Sequence, residues 1–480
     1  MAAENPASLD TAADRRSGRV ATRAELTTLQ RAWKRIVARA AVRRRRRQRY
    51  LKGKLSWNQL YRASSYLKSA LWTVPLIAIL LVFLTAPVVR HIDTRLHWEL
   101  AGLAATGAQA LYQTVITMTL SFLVFTFGSL LVAIQVAGGQ LTPRIIATTL
   151  LCNNVVRYSV GLFVFTLVYS VIALNRAEHS AQLVALVTAI LGIASIADFL
   201  FLIDYAARLL RPVSVVSSVG DQGVDLIRAV YPAGSSLVAE SGPLRSVLGA
   251  PARRVLHNAP AGIVLAVDLT TLVALGRRHN GVIEFIAQVG DFVAAEEPLF
   301  ALYGGASAID DRSLRSTVAF GAERTLEQDP MFAFRILVDI ALKALSPAIN
   351  DPTTAVLAMD QVHRLLRVLG KRQLRGELAC DDKGDPRVIY RTPNWEDFVH
   401  VACTEIRACG ASNVQVARRM RAMLENLVEV LSANRHPSLE AELALLERAI
   451  GSAYATAEDR ELASIPDVQG LGGATARRPG

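Results

Sequence analysis

The stretch QALYQTVITMTLSFLVFTFGSLLVAIQVA, residues 109–137, decides the fold class of this protein. Its 29 residues include no charged side chain. As an α-helix it would be about 43 Å long, more than the ~30 Å of hydrocarbon in a bilayer. A helix of this length must tilt or project beyond the hydrocarbon. The stretch is therefore predicted to be a long transmembrane helix.

Three further apolar stretches accompany this one. Residues 71–89 contain no charge, residues 155–174 contain only Arg157, and residues 181–203 contain only Asp198. Four such runs so close together are hard to bury inside a water-soluble core. They predict a four-helix transmembrane domain over residues 71–204. The first apolar run begins too late for a cleavable signal peptide, so we expect it to remain as an anchor.

Composition supports the same class. Hydrophobic residues make up 52% of the chain and charged residues only 20%, which argues against a disordered or ordinary soluble protein. Four cysteines, without CxxC spacing, cannot supply a disulfide framework.

Positive charge is concentrated before the first span. The first 70 residues hold 18 Lys and Arg against 4 acidic residues, so the rest of the chain is close to neutral. By the positive-inside rule this segment, residues 1–70, stays in the cytoplasm. An even number of spans returns the chain to the same side, and Arg208 and Arg211 follow the fourth span. We expect a multi-pass protein of the bacterial inner membrane with both termini cytoplasmic.

The most basic part of this segment runs from Arg43 to Arg49. Because a span follows about twenty residues later, anionic phospholipid headgroups are the favoured partner. A plain orientation signal is the alternative. A nucleic-acid arm has similar composition but is disfavoured this close to a bilayer.

Small and polar residues form a stripe along the second span, at Thr114, Thr117, Ser121, Gly128 and Gln135. Their spacing places them on one face of a helix. Close helix packing through small residues is the favoured explanation of such a face, and a water-filled path in a homo-oligomer is the alternative. In the fourth span, Asp198 needs a partner such as Arg157, a neighbouring helix, or a wet ion or proton path.

A helix break follows the second span, and it includes Gln140, Pro143 and Arg144. Two glycines before it would end one helix, and Pro143 suits the first turn of the next.

Beyond the spans the periodicity indicates an α+β cytoplasmic region. Short β-branched runs over 205–316 predict a small β-barrel-like subdomain, and 317–460 reads as a helical subdomain. Residues 461–480 are expected to be a disordered tail. The turn in residues 289–300 is similar to that of biotinyl and lipoyl carriers, but no Lys lies between Lys68 and Lys343, which excludes a swinging cofactor.

One segment of the helical subdomain combines charge with a sharp turn. Its polar residues are Arg335, Asp339, Lys343, Ser346, Asn350 and Asp351. The first three follow one another at four-residue spacing on a helix face. Asp351 can cap the next helix, with Pro352 at its first position. A purely structural role and a ligand or ion site both fit this arrangement.

These motifs resemble the bacterial predicted membrane proteins called domain of unknown function 2254. The resemblance rests on GGQLTPRII (138–146), AVDLTTLVAL (266–275) and QDPMFAFRILVDIALKALSPAINDPTTA (328–355), and it covers roughly residues 60–460. It implies four spans followed by a cytoplasmic half and supplies no activity.

Enzyme signatures such as GxSxG, HExxH and phosphate-binding glycine loops do not occur. We therefore predict no catalytic residue, no metal and no cofactor. The polar stripe and Asp198 favour a homo-oligomeric pore or transport-type protein with a cytoplasmic regulatory region. The alternative is a membrane-anchored sensor or scaffold whose cytoplasmic region binds a ligand or partner.

Overall fold

The computed structural model describes residues 56–96, 105–140, 154–175, 182–209, 211–231, 242–374 and 376–472. A short helix, α1 (Trp57–Ser69), precedes four long helices. These are α2 (Thr73–Leu96), α3 (Ala105–Gln140), α4 (Asn154–Leu174) and α5 (Gln182–Leu209). Each of the four is long and apolar enough to cross a membrane, which confirms the four spans. At 36 residues, α3 is longer than its apolar stretch and extends about 54 Å.

Helix α4 lies at the centre of this bundle. Phe163 on α4 is completely buried, and Gly161 lets α2 approach, since a Cβ there would lie 2.7 Å from Cγ1 of Val74. Helices α3 and α5 meet beside it, where the rings of Phe122 and Phe199 stack with centroids 4.1 Å apart. One face of α3 therefore packs inward.

Polar contacts join the ends of the helices. Arg157, at the start of α4, donates to Oγ1 of Thr73 at 2.5 Å and to the carbonyl of Leu67 at 3.3 Å. At the opposite end of the bundle, Asp93 of α2 accepts the main-chain N–H of Leu183 at 3.0 Å. The starts of α2 and α4 therefore lie at one membrane face, as an up-and-down bundle requires.

The carboxy-terminal region, residues 212–472, mixes helices and strands. Its helices are α6 (Pro212–Val230), α7 (Gly242–Leu248), α8 (Leu269–Arg278), α9 (Asp311–Arg315), α10 (Pro330–Ala344), α11 (Pro352–Gly370), α12 (Trp395–Gly410), α13 (Val414–Val430), α14 (His436–Ala453) and α15 (Ala457–Ser464). Its strands are β1 (Arg253–Leu256), β2 (Gly262–Val267), β3 (Gly281–Phe285), β4 (Phe292–Val293), β5 (Pro298–Gly304), β6 (Val318–Gly321), β7 (Leu378–Cys380) and β8 (Pro386–Tyr390).

The strands form two open sheets, so the predicted barrel-like subdomain is wrong. One sheet has five strands in the order β1-β5-β3-β8-β7, and the other has three in the order β4-β2-β6. Strands β3 and β8 pair in parallel, with Ile283 opposite Val388. The sheet thus recruits a hairpin from residues 378–390, about 100 residues later in the chain. Local strand patterns carry no information on such a distant pairing.

The helices pack around a second core. Phe334 and Leu337 of α10, Val362 and Leu366 of α11, and Phe398 of α12 are fully buried together. Helix α6 joins them through Val219 and Ile227, although the sequence placed this segment with the strands.

The predicted disordered tail over 461–480 is wrong for residues 461–472. The Asp467 side chain is fully buried and accepts main-chain N–H groups of Gln469 and Gly470, both at 3.0 Å, and of Gly472 at 2.6 Å. Arg418 of α13 donates to the carbonyl of Ile465 at 3.0 Å. A buried carboxylate with several donors fixes a loop that composition alone reads as disordered. Residues 473–480 lie outside the described residues.

Candidate functional site

The polar stripe of α3 faces away from its own protomer. All five of its residues, Thr114, Thr117, Ser121, Gly128 and Gln135, are exposed. A Cβ added at Gly128 would meet no atom within 4 Å. The opposite face of α3 carries the buried Tyr112, Val115 and Leu123. Among the helices that the structure describes, none covers the stripe, so packing within the protomer does not explain it.

In the sequence, Thr114, Ser121, Gly128 and Gln135 recur every seven residues, and the structure adds two exposed apolar residues to this heptad pattern. Val124 and Leu131 are 67% and 62% exposed and fill the intervening positions, so the spacing alternates between three and four residues from Thr114 to Gln135. Large apolar side chains flank it and are also exposed, namely Leu120, Phe125, Phe127 and Val132. We call the stripe with Val124 and Leu131 the α3 seam. A stripe of small and polar residues with large apolar side chains on both sides is typical of a helix that packs against another helix.

Asp198 belongs to a different surface, between α4 and α5. Its Oδ1 accepts a hydrogen bond from Oγ of Ser159 at 3.1 Å. Within the described chain Asp198 bonds to this hydroxyl and not to Arg157, and its Oδ2 is buried without a hydrogen-bond partner. One turn away Ser195 donates to Thr166 at 3.2 Å. The sequence signal for this pair of contacts was the seven-residue spacing of Ser159 and Thr166, which we did not use.

Two sequence motifs meet where α3 leaves the bundle. The ammonium group of Lys343, on α10, donates a 2.8 Å hydrogen bond to the main-chain carbonyl of Gly138. This contact joins residues 205 positions apart. Gln140 is the last residue of α3, and its side chain lies outside the description. Pro143 and Arg144 lie outside the described residues. The α3 seam is therefore tied directly to the carboxy-terminal region.

About two helical turns before Lys343, Arg335 connects α10 to α12. Its two terminal nitrogens donate to both carboxylate oxygens of Glu405, at 2.5 and 2.9 Å, and its Nε donates to Asp339 at 2.6 Å. The bond to Glu405 raises the pKa of Arg335, and Arg335 in turn lowers the pKa of Glu405. Sequence spacing revealed the pairing of Arg335 with Asp339 but not Glu405, which lies on another helix.

The remaining motif residues build the turn between α10 and α11. The hydroxyl of Ser346 donates to the carbonyl of Lys343 at 2.7 Å, and Asn350 adopts a left-handed φ of 46°. Asp351 caps α11 by accepting the N–H of Thr354 at 3.1 Å, with Pro352 next in the chain. These three residues therefore hold the turn that places Lys343 at the end of α3.

In the described part of the chain, no group of three or more His, Cys, Asp or Glu side chains is placed so that it could hold a metal ion.

The fold defines a polytopic α-helical membrane protein. It has four apolar helices, an exposed polar seam on α3, and a region of helices and sheets that contacts the end of α3.

The chain belongs to the predicted membrane protein family DUF2254, whose model matches residues 68–426. It is similar to an uncharacterized protein of Mycobacterium tuberculosis (strain H37Rv), with 25% identity over 419 residues, covering 83% of this chain and 79% of that protein. An uncharacterized protein of Mycobacterium bovis has the same identity and coverage. No solved structure matches the chain.

Proposed function

We propose that this protein is a homo-oligomeric pore or transport-type protein of the bacterial inner membrane, in which copies of α3 surround a central path. The exposure of the α3 seam carries the proposal. Hydrocarbon favours apolar side chains, whereas Thr117 and Gln135 present polar groups outward with no partner in the described protomer. Copies of α3 from other protomers would shield these two side chains from lipid, and water along the axis would form hydrogen bonds with them.

The heptad spacing supports α3 helices that pack against one another. A strict seven-residue repeat makes straight helices drift by about 20° per heptad, so they wind around each other with a left-handed twist. The hydroxyls of Thr114 and Ser121 already bond to carbonyls of their own helix, each at 2.8 Å. They can therefore line either a packed or a wet interface without an unsatisfied donor.

The carboxy-terminal region is proposed to be cytoplasmic and regulatory, and the protein to have no catalytic role. Positive charge before α2 and at Arg208 and Arg211 supports this orientation, with both termini in the cytoplasm. Residues Arg43 to Arg49, outside the described residues, are proposed to contact anionic headgroups. The bond between Lys343 and Gly138 gives this region a direct mechanical link to α3.

Single-cysteine cross-linking in native membranes tests the assembly, with the native cysteines replaced. Cysteine at Val124, on the seam, is expected to form disulfide-linked dimers. Ile193 on α5 is equally exposed, at 68% against 67%, and serves as the matched control that should not cross-link. Equal cross-linking at both positions, or at neither, contradicts the proposed interface.

Reconstitution in planar bilayers tests conduction. Wild-type protein should conduct ions, and Ser121→Leu should reduce the flux because a large apolar side chain narrows and dries the path. Ala197→Leu adds similar bulk on the exposed face of α5 and should leave the flux unchanged. An oligomer that never conducts under voltage, tension or added solutes would instead support the anchored sensor or scaffold.

A further inference from the structure

A groove lies along the outward face of α11, between α6 and α13. Its volume is about 410 Å³, and its lining residues are Asp360, His363, Arg364, Arg367, Val368 and Lys371. Pockets that bind small ligands have volumes of about 300 to 1,000 Å³. The groove is therefore large enough for a small metabolite.

One arginine and one carboxylate of the groove, Arg364 and Asp360, are already in ion pairs. Arg364 donates to Asp221 of α6 at 2.7 Å, and Arg419 of α13 donates to Asp360 at 2.7 Å. These two ion pairs fix the walls of the groove and leave little net charge of their own.

Arg367 and Lys371 are different. Arg367 bonds to the uncharged amide oxygen of Asn426 at 3.2 Å. The main-chain N–H of Lys371 donates to the carbonyl of Leu369, whereas its ammonium group makes no hydrogen bond or ion pair with the residues that the structure describes. Both side chains are exposed, and Lys371 follows the last residue of α11 four positions after Arg367, so the two are neighbours at the end of one helix face. The groove thus holds two uncompensated positive charges side by side.

The ring of His363 also lines the groove, and both of its nitrogens are engaged by residues of α13. One ring nitrogen lies 3.0 Å from Oδ1 of Asn426 and the other 3.2 Å from Arg419. Burial, and then the charge of Arg419, lower the pKa of His363, while Asp360 acts in the opposite direction. The ring is held in place by α13.

The groove lies in the carboxy-terminal half of α11. Helices α6 and α11 run in parallel, since Gly220 lies against Gln361 and the carbonyl of Tyr231 accepts a hydrogen bond from Arg372. Helix α6 follows α5 directly, and α11 begins at the turn beside Lys343. Fifteen residues separate Pro352 from Arg367, about 22 Å of helix. Arg367 therefore lies about four turns along α11 from the turn that holds Lys343 against the end of α3.

We propose that this groove binds a soluble phosphorylated small molecule, with Arg367 and Lys371 holding its phosphate groups. Guanidinium groups bind phosphate oxygens in pairs, and a lysine ammonium adds a point charge beside them. The apolar side chain of Val368 and the ring of His363 also line the groove and would contact the part of the ligand that carries no phosphate. This site goes beyond the proposed pore, and it stands whether or not the bundle conducts.

Calorimetric titration of the full chain, in nanodiscs of phosphatidylcholine, tests the site with inorganic pyrophosphate as the probe and ATP as a second probe. Wild-type protein should bind at least one of them, more weakly as salt increases. Replacing Arg367 and Lys371 together by Gln should weaken binding at least tenfold. Absence of binding to wild type by both probes would overturn the proposal.

The control variant removes two positive charges elsewhere, at the exposed Arg278 and Lys383. It should bind as wild type does, and an equal loss in both double variants would show nonspecific attraction and overturn the site. Lysine acylation read by mass spectrometry adds a measurement on the unaltered protein. Pyrophosphate should protect Lys371 and not Lys383, whereas equal protection contradicts the assignment.

Nanodiscs that contain phosphatidylglycerol separate the two sources of phosphate. Pyrophosphate affinity should be the same in them as in phosphatidylcholine. Competition by the anionic lipid would show that headgroups reach the groove and would overturn the assignment to a soluble ligand.

Discussion

The ammonium group of Lys343 and the main-chain carbonyl of Gly138 are joined by a 2.8 Å hydrogen bond across the end of the second membrane helix. Carbonyls at the end of a helix lack partners within it and carry partial negative charge, so a cation is well placed there. The contact joins the seam-bearing helix α3 to helix α10. A movement of α10 would therefore displace the end of α3.

Replacing Lys343 by Met should loosen the end of α3. Met keeps most of the length of the side chain and removes the donor. The lost hydrogen bond corresponds to about 1 kcal/mol, or roughly a fivefold faster amide exchange. Hydrogen–deuterium exchange of the last turn of α3 measures this. Lys383→Met, in an exposed hairpin, is the control, and an unchanged rate in the Lys343 variant would contradict the link.

Replacing Arg335 by Lys should weaken the connection between α10 and α12. Lysine cannot donate to both oxygens of Glu405 and to Asp339 at once. Because Glu405 is 51% exposed, we expect a coupling energy of only about 1 kcal/mol in a double-mutant cycle with Glu405→Gln. Thermal unfolding in detergent measures it, and additive effects of the two changes would show that the pair contributes nothing.

The same pair should lose its effect in acid. Arg335 lowers the pKa of Glu405, so the carboxylate contributes stability at neutral pH. This contribution decreases as the pH falls below the ordinary glutamate pKa and through the lowered value. The difference in thermal midpoint between wild type and Glu405→Gln should therefore shrink in acid, and a constant difference would argue against the ion pair.

Asp329 should make the protein less stable as the pH rises. Burial raises its pKa to about 6, although Arg324 and the N–H of Phe332 act against this. A carboxyl whose folded pKa is raised costs stability once it ionises, so the loss develops between the ordinary aspartate pKa and about pH 6. Asp329→Asn keeps an oxygen that can cap α10 and removes the charge.

We expect Asp329→Asn to raise the free energy of unfolding at about pH 8 by about 1 to 3 kcal/mol, and to change it little at about pH 4. Thermal unfolding in detergent at both values is the measurement. A variant that is less stable than wild type at the higher pH would show that Arg324 and the helix end outweigh the cost of burial.

Replacing Asp467 by Ala should release the loop at residues 465–472. Three main-chain N–H groups would lose their buried acceptor, which costs about 2 to 4 kcal/mol in total. Limited proteolysis after Ser464 should then become rapid. Asp382→Ala removes a carboxylate that is 93% exposed and should leave proteolysis as in wild type. Resistance in both variants would contradict the role of Asp467.

The local features of the fold followed from local rules. Asp351 was expected to cap a helix, and it accepts the N–H of Thr354, three residues later, at 3.1 Å. Pro352 was expected at the first position of the same helix, and α11 begins at that residue. Caps and amphipathic periodicity depend on neighbours within a few residues, which the sequence displays directly.

Contacts between residues far apart in the chain could not be predicted from such local patterns. Glu405 gave no sign that it would meet Arg335, and the hairpin at 378–390 gave none that it would extend the sheet of β3. The α3 seam was visible as a stripe, but whether it faced inward could not be read from its spacing.

By itself, the sequence determined that four helices cross a bilayer, because a run of uncharged residues long enough to span hydrocarbon has few other stable places in water or lipid. Tertiary structure alone decided that the polar seam of α3 faces outward, that Lys343 reaches Gly138, and that basic residues on α11 line a groove. The physical reason is that periodicity fixes which residues share a helix face, whereas the rotation of that face depends on what packs against the opposite side.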